Sequence, residues 1–582
     1  MDLLPALVVG IVVIAISTVL ARRLGVAGPL ILVAVGLIAS LFLPPFAVDP
    51  ELILVGILPP LLYAAAVRMP AIEFRRDALP ITGLAVILVV VSALLLGTLF
   101  FFTLPELGFP LAVALGAILS PTDAVATSIV KKLGISPRVV TMLEGESLLN
   151  DATALVLLRS AVAAVAAGFS FWGTVGSFAW GVAVAVVIGV VMGMLNLRVR
   201  RWIPSVAANT ALGFVVPFLA FLPTEHLGGS GLVAAVAAGI TTGQGTTRFS
   251  TPEQRVSDGI NWRTVELLLE GAVFLIMGLE LRDIVTATVQ KHDGPWIAVG
   301  LALAALGIVL VVRTGYVTLI VALQGHRARQ RQRERLLDLD ERLEAFDADR
   351  PAPSGSGRHP LLRRRLQRES PEARRRRVGE VRARITRGLN DLDYYQASPL
   401  GWKHGTIIVW AGMRGVVTLA AAQTLPTETP ARELLILIAF LVALVSLLLQ
   451  GLSLPFVIRL LRIPAAGDET LSVEEQEELD RELRAAALER LDRPGLLDAQ
   501  GAPVPAALVA AARERLAGQP RDDLPGPEGL LELRVLLIEA MRERLITLSH
   551  EGAFSSAALR HELAVLDADQ LSIELRRGPE SE

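Results

Sequence analysis

The chain contains no cysteine and only 7 histidines among its 582 residues. Disulfide bridges, thiolate metal sites and cysteine nucleophiles are therefore excluded, and no HxxxH or HExxH spacing indicates a histidine metal site. Aromatic residues are also scarce, at 5%, although 53% of the chain is hydrophobic. Aliphatic and small residues, which suit closely packed membrane helices, supply this hydrophobicity. The mean hydropathy of +0.55 exceeds that of an ordinary soluble protein.

The amino terminus lacks the basic stretch and the small-residue cleavage site of a signal peptide, so its apolar run is read as a retained membrane helix. Similar runs, each long enough to span a bilayer at roughly 20 residues, recur to about residue 460. We predict thirteen transmembrane helices, near residues 3–20, 27–44, 50–66, 80–104, 109–130, 142–168, 172–195, 205–223, 228–243, 264–281, 296–323, 404–424 and 431–460. The expected fold is an all-α polytopic membrane protein.

Basic residues are concentrated in the loops that follow odd-numbered predicted helices. Loops after even-numbered helices hold few, the main exceptions being Arg282 and Lys291. Because loops rich in lysine and arginine stay in the cytoplasm, the amino terminus is predicted outside and the carboxyl terminus inside the cell.

Two charged regions lie outside the predicted helices. Residues 325–402 hold 19 arginines against 12 acidic residues, and we favour a solvated or disordered cytoplasmic loop over contact with anionic lipid headgroups. Residues 465–582 hold 13 arginines against 25 acidic residues and show helical patterning, which predicts a small helical cytoplasmic domain. Nothing in this tail identifies a ligand.

The fifth predicted helix contains the sequence SPTD, which places Pro121, Thr122 and Asp123 within the span. One interpretation is a proline kink whose broken turn is capped by Thr122 and Asp123. The other is a discontinuous helix whose unwound backbone and carboxylate face an ion. We favour the second, because a carboxylate at membrane depth is costly and a capped kink does not need one.

The sixth predicted helix begins with EGESLLNDATALV. Ser147 and Asp151 are four residues apart and share a face, as do Glu146 and Asn150. Hydroxyl, carboxylate and amide oxygens are ligands for hard cations, so these two stripes predict a site for an ion such as Na+. Glu144 is also compatible with a solvated helix start.

The twelfth predicted helix buries Arg414 between Gly412 and Gly415. An arginine cannot lose its charge, and snorkelling suits helix ends better than this position, so an acidic partner is expected. We predict a structural ion pair with Glu146. The interruptions in the fifth and twelfth helices stand at matching positions of two halves with inverted topology. Such a pair of interrupted helices points to the binding site of a secondary transporter.

The tenth predicted helix carries Glu266 and Glu270 on one face. They are candidates for lining an aqueous funnel, and a position near the interface is an equally good interpretation.

The motifs SPTDAVA, EGESLLNDATALV, LGGSGLVAAVAAG, FLIMGLEL and GMRGVVTLAAA stand at residues 120–126, 144–156, 227–239, 274–281 and 412–422. Together they resemble the cation:proton antiporter-1 family of Na+/H+ exchangers, the NhaP/NHE type. The resemblance covers residues 1–462, the predicted antiporter domain. It implies thirteen helices in inverted repeats with two crossed, broken helices, and a homodimer in the cell membrane that moves its core domain like an elevator.

The resemblance also implies the roles of the site residues. Asp151 would be the principal carboxylate for cation and proton, next to Asn150, and Glu146 with Arg414 would be the structural ion pair. Sodium would be held by Asp151, Asp123, Thr122 and Ser147. The Asn–Asp pair implies electroneutral exchange, one Na+ for one H+, for the control of intracellular pH and Na+. Enzymatic activity, a cofactor and a nucleic-acid partner are not expected; the partners are the transported ions (Na+ and H+, with Li+ or K+ as further candidates) and membrane lipid.

One position departs from the family pattern. Prokaryotic members often have a glutamate in the third helix, where this chain has Ala64 within LPPLLYAAAV. This leaves potassium/proton or broad monovalent cation/proton exchange as the alternative to sodium. A cation channel fits less well, because it needs a continuous pore with ring-like selectivity residues. A membrane sensor fits less well, because it does not need Asp123, Asp151 and Arg414 buried together.

Overall fold

The computed structural model describes residues 3–24, 26–44, 48–123, 125–167, 171–291, 296–323, 333, 337–339, 371–397, 399–463, 473–497, 502–516 and 527–577. Within these ranges the chain is helical and forms no β-strand; a single β-bridge joins Leu497 and Pro503. This confirms the predicted all-α class.

The first part of the chain, up to residue 323, contains fourteen helices in the described ranges. They are α1 Leu3–Leu24, α2 Gly28–Ser40, α3 Leu58–Arg68, α4 Ala71–Arg76, α5 Ala78–Thr82, α6 Leu88–Thr103, α7 Gly108–Leu119, α8 Val125–Lys132, α9 Pro137–Ala167, α10 Phe171–Arg200, α11 Val206–His226, α12 Gly231–Phe249, α13 Pro252–Lys291 and α14 Trp296–Leu323. Two π-helical turns, Leu52–Ile57 and Gly83–Ile87, lead into α3 and α6.

The later helices are α15 Pro371–Ala397, α16 Trp402–Trp410, α17 Val416–Gln423, α18 Arg432–Leu460, α19 Val473–Asp492, α20 Ala506–Leu516, α21 Pro527–Glu551 and α22 Ser556–Arg577. Helix is present within each of the thirteen predicted membrane segments. Six helical segments of the described chain, one of them made of α5, the second π-helical turn and α6, are long and apolar enough to cross a membrane. The number of spans and the inverted repeats therefore stay predictions.

The tenth segment is longer than the sequence predicted. We expected a helix near residues 264–281, and α13 has 40 residues, with only residues 250–251 separating it from α12. Its first turns carry Glu253, Arg255 and Asp258. Because membrane helices were predicted from apolar runs, these charged residues kept this part of the helix from being recognised. Glutamate and arginine nevertheless favour helix.

The structure divides into two units, and the first holds residues 1–320 and 401–469. Within it the helices pack in two groups: α1–α3 with α10–α13, and α6–α9 with α16–α18. Glycines permit the closest contacts in each group. A Cβ at Gly278 of α13 would overlap the carbonyl of Val33 in α2, and one at Gly116 of α7 would overlap the carbonyl of Ala93 in α6.

The second unit holds residues 321–400 and 470–582, so the predicted insert and tail belong to one unit. The tail helices α19–α21 share an apolar cluster that includes Leu491, Leu508 and Leu533. Helix α15 packs on α21, where the Asn390 side chain donates to the Glu551 carbonyl at 3.1 Å.

The favoured interpretation of the insert as a solvated or disordered loop is wrong for residues 371–397. They form α15, in which Ile385 and Leu392 are each only 3% exposed. These two residues are seven apart and therefore lie on one helical stripe. The insert also contributes an ion pair between Arg333 and Asp393, at 3.2 Å. Its remaining residues, apart from 337–339 and 399–402, lie outside the described ranges.

Candidate cation-binding site

The first interruption separates α7 from α8. Helix α7 ends at Leu119, and residues 121–123 are not helical. Asp123 accepts a hydrogen bond on Oδ1 from the backbone N–H of Val125 at 3.3 Å, so its carboxylate caps the first turn of α8. The helix is therefore discontinuous, as the second interpretation predicted, and Asp123 caps a turn, as the first did. That the carboxylate faces an ion stays a prediction.

The second interruption separates α16 from α17, at residues 411–415. A Cβ on Gly415 would overlap the carboxylate of Asp123, and one on Gly412 would lie 2.5 Å from Nε of Arg313. No side chain fits at either position without displacing a charged group. The two glycines thus let the backbone approach a carboxylate on one side and a guanidinium on the other.

The two interruptions meet directly. The backbone N–H of Asp123 donates to the carbonyl of Met413 at 2.7 Å. Nε of Arg414, from the second interruption, donates to the carbonyl of Leu119, at the end of α7, at 3.2 Å. A helix carries partial negative charge at its carboxyl end, so an arginine stabilises that end. These backbone groups of the two interruptions therefore have protein partners, which membrane depth favours.

Helix α9 places Glu146 and Asn150 against the first interruption, and both are 1% exposed. The Thr122 hydroxyl donates to Oε1 of Glu146 at 3.1 Å, while Nδ2 of Asn150 donates to the Thr122 hydroxyl at 2.7 Å. The two residues of the predicted stripe, Glu146 and Asn150, are thus linked by hydrogen bonds through the Thr122 hydroxyl. Oδ1 of Asn150 is buried without a hydrogen-bond partner among the described residues, and an amide oxygen in that state can accept a cation or its water.

The predicted ion pair between Glu146 and Arg414 is wrong. Glu146 is held by Arg313 of α14, which pairs with both carboxylate oxygens, with Nη2 to Oε2 at 2.8 Å. Arg313 also donates to the carbonyl of Ile408 from Nε at 3.0 Å and from Nη2 at 2.8 Å. The planar guanidinium of Arg313 therefore neutralises Glu146 and at the same time stabilises the carboxyl end of α16.

Arg414 is instead held by backbone. Besides the Leu119 carbonyl, its guanidinium donates to the carbonyl of Gly412, and its backbone N–H donates to Oγ of Ser446 at 2.9 Å. An arginine from another segment thus binds the carboxyl end of each helix that precedes an interruption. Arg414 binds the end of α7, and Arg313 binds the end of α16.

Ser147 and Asp151 form the neighbouring stripe of α9 and are 8% and 7% exposed. Asp151 is close enough to Asp123 for the two carboxylates to repel each other. A bound cation or proton reduces the repulsion between two neighbouring carboxylates. All five predicted binding residues therefore lie on α9 or at the first interruption, and the acid with an arginine partner is Glu146.

Sequence reasoning missed Arg313, although a signal was available. It is the only charged residue in α14, from Trp296 to Leu323. A single arginine within a long apolar helix predicts a buried partner. A second buried pair, Asp77 with Arg138 at 2.7 Å, joins the start of α5 to the start of α9 and was not predicted either.

The family description "Sodium/hydrogen exchanger, transmembrane" matches residues 9–333 and 385–460, which is more than half of the chain. This chain belongs to the sodium/hydrogen exchanger family. It is therefore a membrane transport protein of the antiporter class.

Two relatives mark the range of similarity to known exchangers. The chain is 36% identical over 307 residues to an uncharacterised Na+/H+ exchanger of Escherichia coli, covering 50% of this chain and 56% of the relative. It is 28% identical over 599 residues to an uncharacterised Na+/H+ exchanger of Mycobacterium tuberculosis, covering 97% of each. The alignment thus reaches about half the length of the first exchanger and nearly all of the second.

The third relative is the sodium, potassium, lithium and rubidium/H+ antiporter of Bacillus subtilis, 32% identical over 298 residues, covering 49% of this chain and 44% of that antiporter. Among solved structures, the sodium proton antiporter MjNhaP1 of Methanocaldococcus jannaschii matches with a TM-score of 0.54 and 16% identity, covering 79% of this chain and 99% of the other. This structural similarity supports the antiporter fold.

The departure at Ala64 has a structural counterpart in this exchanger. Ala64 is fully buried, in an apolar cluster with Tyr63, Ala238 and Trp262. The third helix therefore brings no carboxylate at this position.

The predicted funnel residues have different surroundings. Glu266 pairs with Arg68 and keeps 25% of its side chain exposed. Glu270 lies one turn further along α13, in partly buried surroundings. Lining of a funnel by either residue stays a prediction.

Proposed function

We propose that the chain is a secondary active sodium/proton antiporter that exchanges one Na+ for one H+ without moving net charge. The observation that carries this proposal is the neighbouring carboxylates of Asp151, which is buried on α9, and Asp123, which is partly buried where the two broken helices meet. Either ion relieves the repulsion between them. If the core changes conformation only when Asp151 is neutralised, competition between the ions at this residue couples their fluxes.

The charges around the site support a single exchangeable carboxylate. Glu146 is balanced by the bidentate guanidinium of Arg313. Asp123 receives a backbone N–H at the start of α8, which stabilises its ionised form. Asn150 is an amide and adds no charge. Asp151 is then the residue whose charge is matched by one Na+ or one H+.

Alternating access is supported by the packing of the helices in two groups. Few polar contacts join the groups in the described chain. Arg159 of α9 pairs with Glu225 of α11 at 2.6 Å, Gln423 of α17 donates to Glu280 of α13 at 2.7 Å, and the Thr288 hydroxyl of α13 donates to the Glu433 carbonyl of α18 at 3.3 Å. We propose that the group containing α7–α9 and α16–α18 moves against the other, in the manner of an elevator. Homodimerisation through the other group is proposed on the family resemblance.

We place the protein in the cell membrane, with the amino terminus outside and the carboxyl terminus in the cytoplasm. The excess of basic residues in alternate loops supports this orientation. In that position, inward proton movement against outward sodium movement would regulate intracellular pH and Na+.

Exchange of potassium, or of several monovalent cations, is the second candidate. The observation that favours it is Ala64. A binding site with one carboxylate fewer carries less negative charge, and its preference for a small cation is therefore weaker. The Bacillus subtilis relative, whose name includes sodium, potassium, lithium and rubidium, is consistent with this candidate.

The deciding experiment is proton movement in proteoliposomes, driven in turn by Na+, Li+ and K+ gradients. We expect Na+ and Li+ to drive proton flux, and Asp151→Asn protein in the same lipid to give only the background leak. Flux driven by K+ at least as well as by Na+ would establish the broader exchange, and the absence of cation-driven flux in wild type would reject both candidates.

A further inference from the structure

Gln450 lies in the apolar helix α18 and is completely buried. Neither its Oε1 nor its Nε2 has a hydrogen-bond partner among the residues that the structure describes. A buried amide without partners loses its hydrogen bonds to water and gains none in return, which destabilises the fold. An apolar residue of the same size would avoid that cost, so the amide requires a partner of another kind.

The side chain lies on the face of α18 that covers the second interruption. Ser446 and Ser453 are one turn before and one turn after Gln450, on the same face. Oγ of Ser446 accepts the Arg414 N–H at 2.9 Å, and Oγ of Ser453 accepts Nε1 of Trp410 at 2.8 Å. Gln450 is therefore between the two contacts that fix the ends of the interruption.

The methionine of the interruption lies beside this part of α18. A Cβ built on Gly451, the residue after Gln450, would be 3.9 Å from Sδ of Met413. Met413 is itself completely buried, and its carbonyl accepts the backbone N–H of Asp123. The environment of Gln450 is thus connected to the cation site through one residue of the broken backbone.

We propose that Gln450 binds buried water next to the second interruption. This hydrated amide positions the backbone at residues 411–415, which accepts the N–H of Asp123 at Met413. A buried water makes about three hydrogen bonds to groups that otherwise lack partners. Unwound backbone and a primary amide together supply the donors and acceptors that such a water needs. Ordered water is one of the partners that satisfy freed backbone groups of broken helices at membrane depth.

The first test detects the water directly and does not depend on transport. Brief X-ray irradiation generates hydroxyl radicals from bound water, and these oxidise an adjacent methionine to its sulfoxide. Met142 and Met277, each 1% exposed, provide buried references in the same chain. We expect oxidation of Met413 to exceed that of both references, and Gln450→Leu to lower it severalfold while the references stay unchanged. Equal oxidation of Met413 in wild type and Gln450→Leu would overturn the proposal.

The second test concerns positioning and rests on the proposed exchange. Gln450→Leu should lower the maximal rate of Na+-driven proton flux by about tenfold, with little change in the apparent KM for Na+, because the cation ligands are untouched. Gln450→Asn, which retains an amide, should recover part of the rate. Leu449→Ala, at a neighbouring residue that is 48% exposed, is the control for a general effect of mutating α18.

A wild-type rate in Gln450→Leu, or equal losses in the leucine and asparagine variants, would overturn the positioning role. If wild type itself shows no cation-driven flux, the proposed exchange fails, and methionine oxidation still decides whether the water is present.

Discussion

Two neighbouring stripes of α9 carry buried acids in different surroundings. On one stripe Glu146 is fixed by two nitrogens of Arg313 and by the Thr122 hydroxyl. On the other, Asp151 lies five residues further on and has a second carboxylate, Asp123, within electrostatic range. The first acid therefore has its countercharge within the protein, and the second requires one from solution. The comparison separates a structural carboxylate from an exchangeable one on the same helix.

The comparison predicts opposite consequences for removing each charge. Asp151→Asn should abolish cation-driven proton flux and leave thermal stability in detergent unchanged or higher, because a repelling carboxylate is removed. Glu146→Gln should instead lower the melting temperature, because it leaves the charge of Arg313 buried and unbalanced, at a cost of about 3–5 kcal/mol. Flux and melting curves of both variants check this, and retained flux in Asp151→Asn would falsify the assignment.

A close contact links the two interruptions to the exchangeable acid. Gly415→Ala places a methyl group on the Asp123 carboxylate, so Asp123 must move. We expect loss of exchange by about a hundredfold, since displacing a binding group by about 1 Å has effects of this size. Gly307→Ala is the matched control, because nothing lies within 4 Å of a Cβ there. Equal flux in the two variants would contradict the contact.

The identity of the partner of Glu146 is tested by a double-mutant cycle. Arg313→Met should destabilise the protein, and combining it with Glu146→Gln should recover part of the loss, because the two charges then disappear together. Arg414→Met should also destabilise, since the carbonyls of Leu119 and Gly412 lose their donor, but Glu146→Gln should not rescue it. Melting temperatures in detergent provide the measurement, and coupling to Arg414 and not Arg313 would reverse our assignment.

The sequence was sufficient to locate the interruptions. A proline beside a carboxylate at Pro121–Asp123 and glycines on both sides of Arg414 are local features, and each combines residues that weaken a helix with a charged side chain inside an apolar span. The two stripes of α9 were equally predictable, because helical spacing alone puts Ser147 with Asp151 and Glu146 with Asn150.

The partner of Glu146 could not be predicted in the same way. Arg313 and Arg414 are both single arginines in apolar helices, and both need compensation. Which one reaches Glu146 depends on how the two interruptions cross. The crossing places Arg414 on the end of α7 and leaves Arg313 between Glu146 and the end of α16. This is tertiary geometry, which no local pattern contains.

The insert shows a different limit. Its arginine runs predict a solvated segment, but residues 371–397 form a helix that packs on α21 and in which Ile385 and Leu392 are buried. Two apolar residues seven apart are a weak signal when the sequence does not show which helix α15 will pack on. Charge alone therefore misjudged a segment whose structure depends on another part of the chain.

The most direct test of the central claim, a single exchangeable carboxylate, is the dependence of exchange on membrane potential. Na+-driven pH change is measured in wild-type proteoliposomes at potentials imposed with K+ and valinomycin. An uncompensated charge would feel about 2.3 kcal/mol per 100 mV. If Asp151 alone exchanges Na+ for H+, with Glu146 balanced by Arg313 and Asp123 kept ionised, the rate should not change with potential. Rates that rise or fall systematically with potential, or a sustained current on a supported membrane, would mean that a second carboxylate titrates and would contradict the claim.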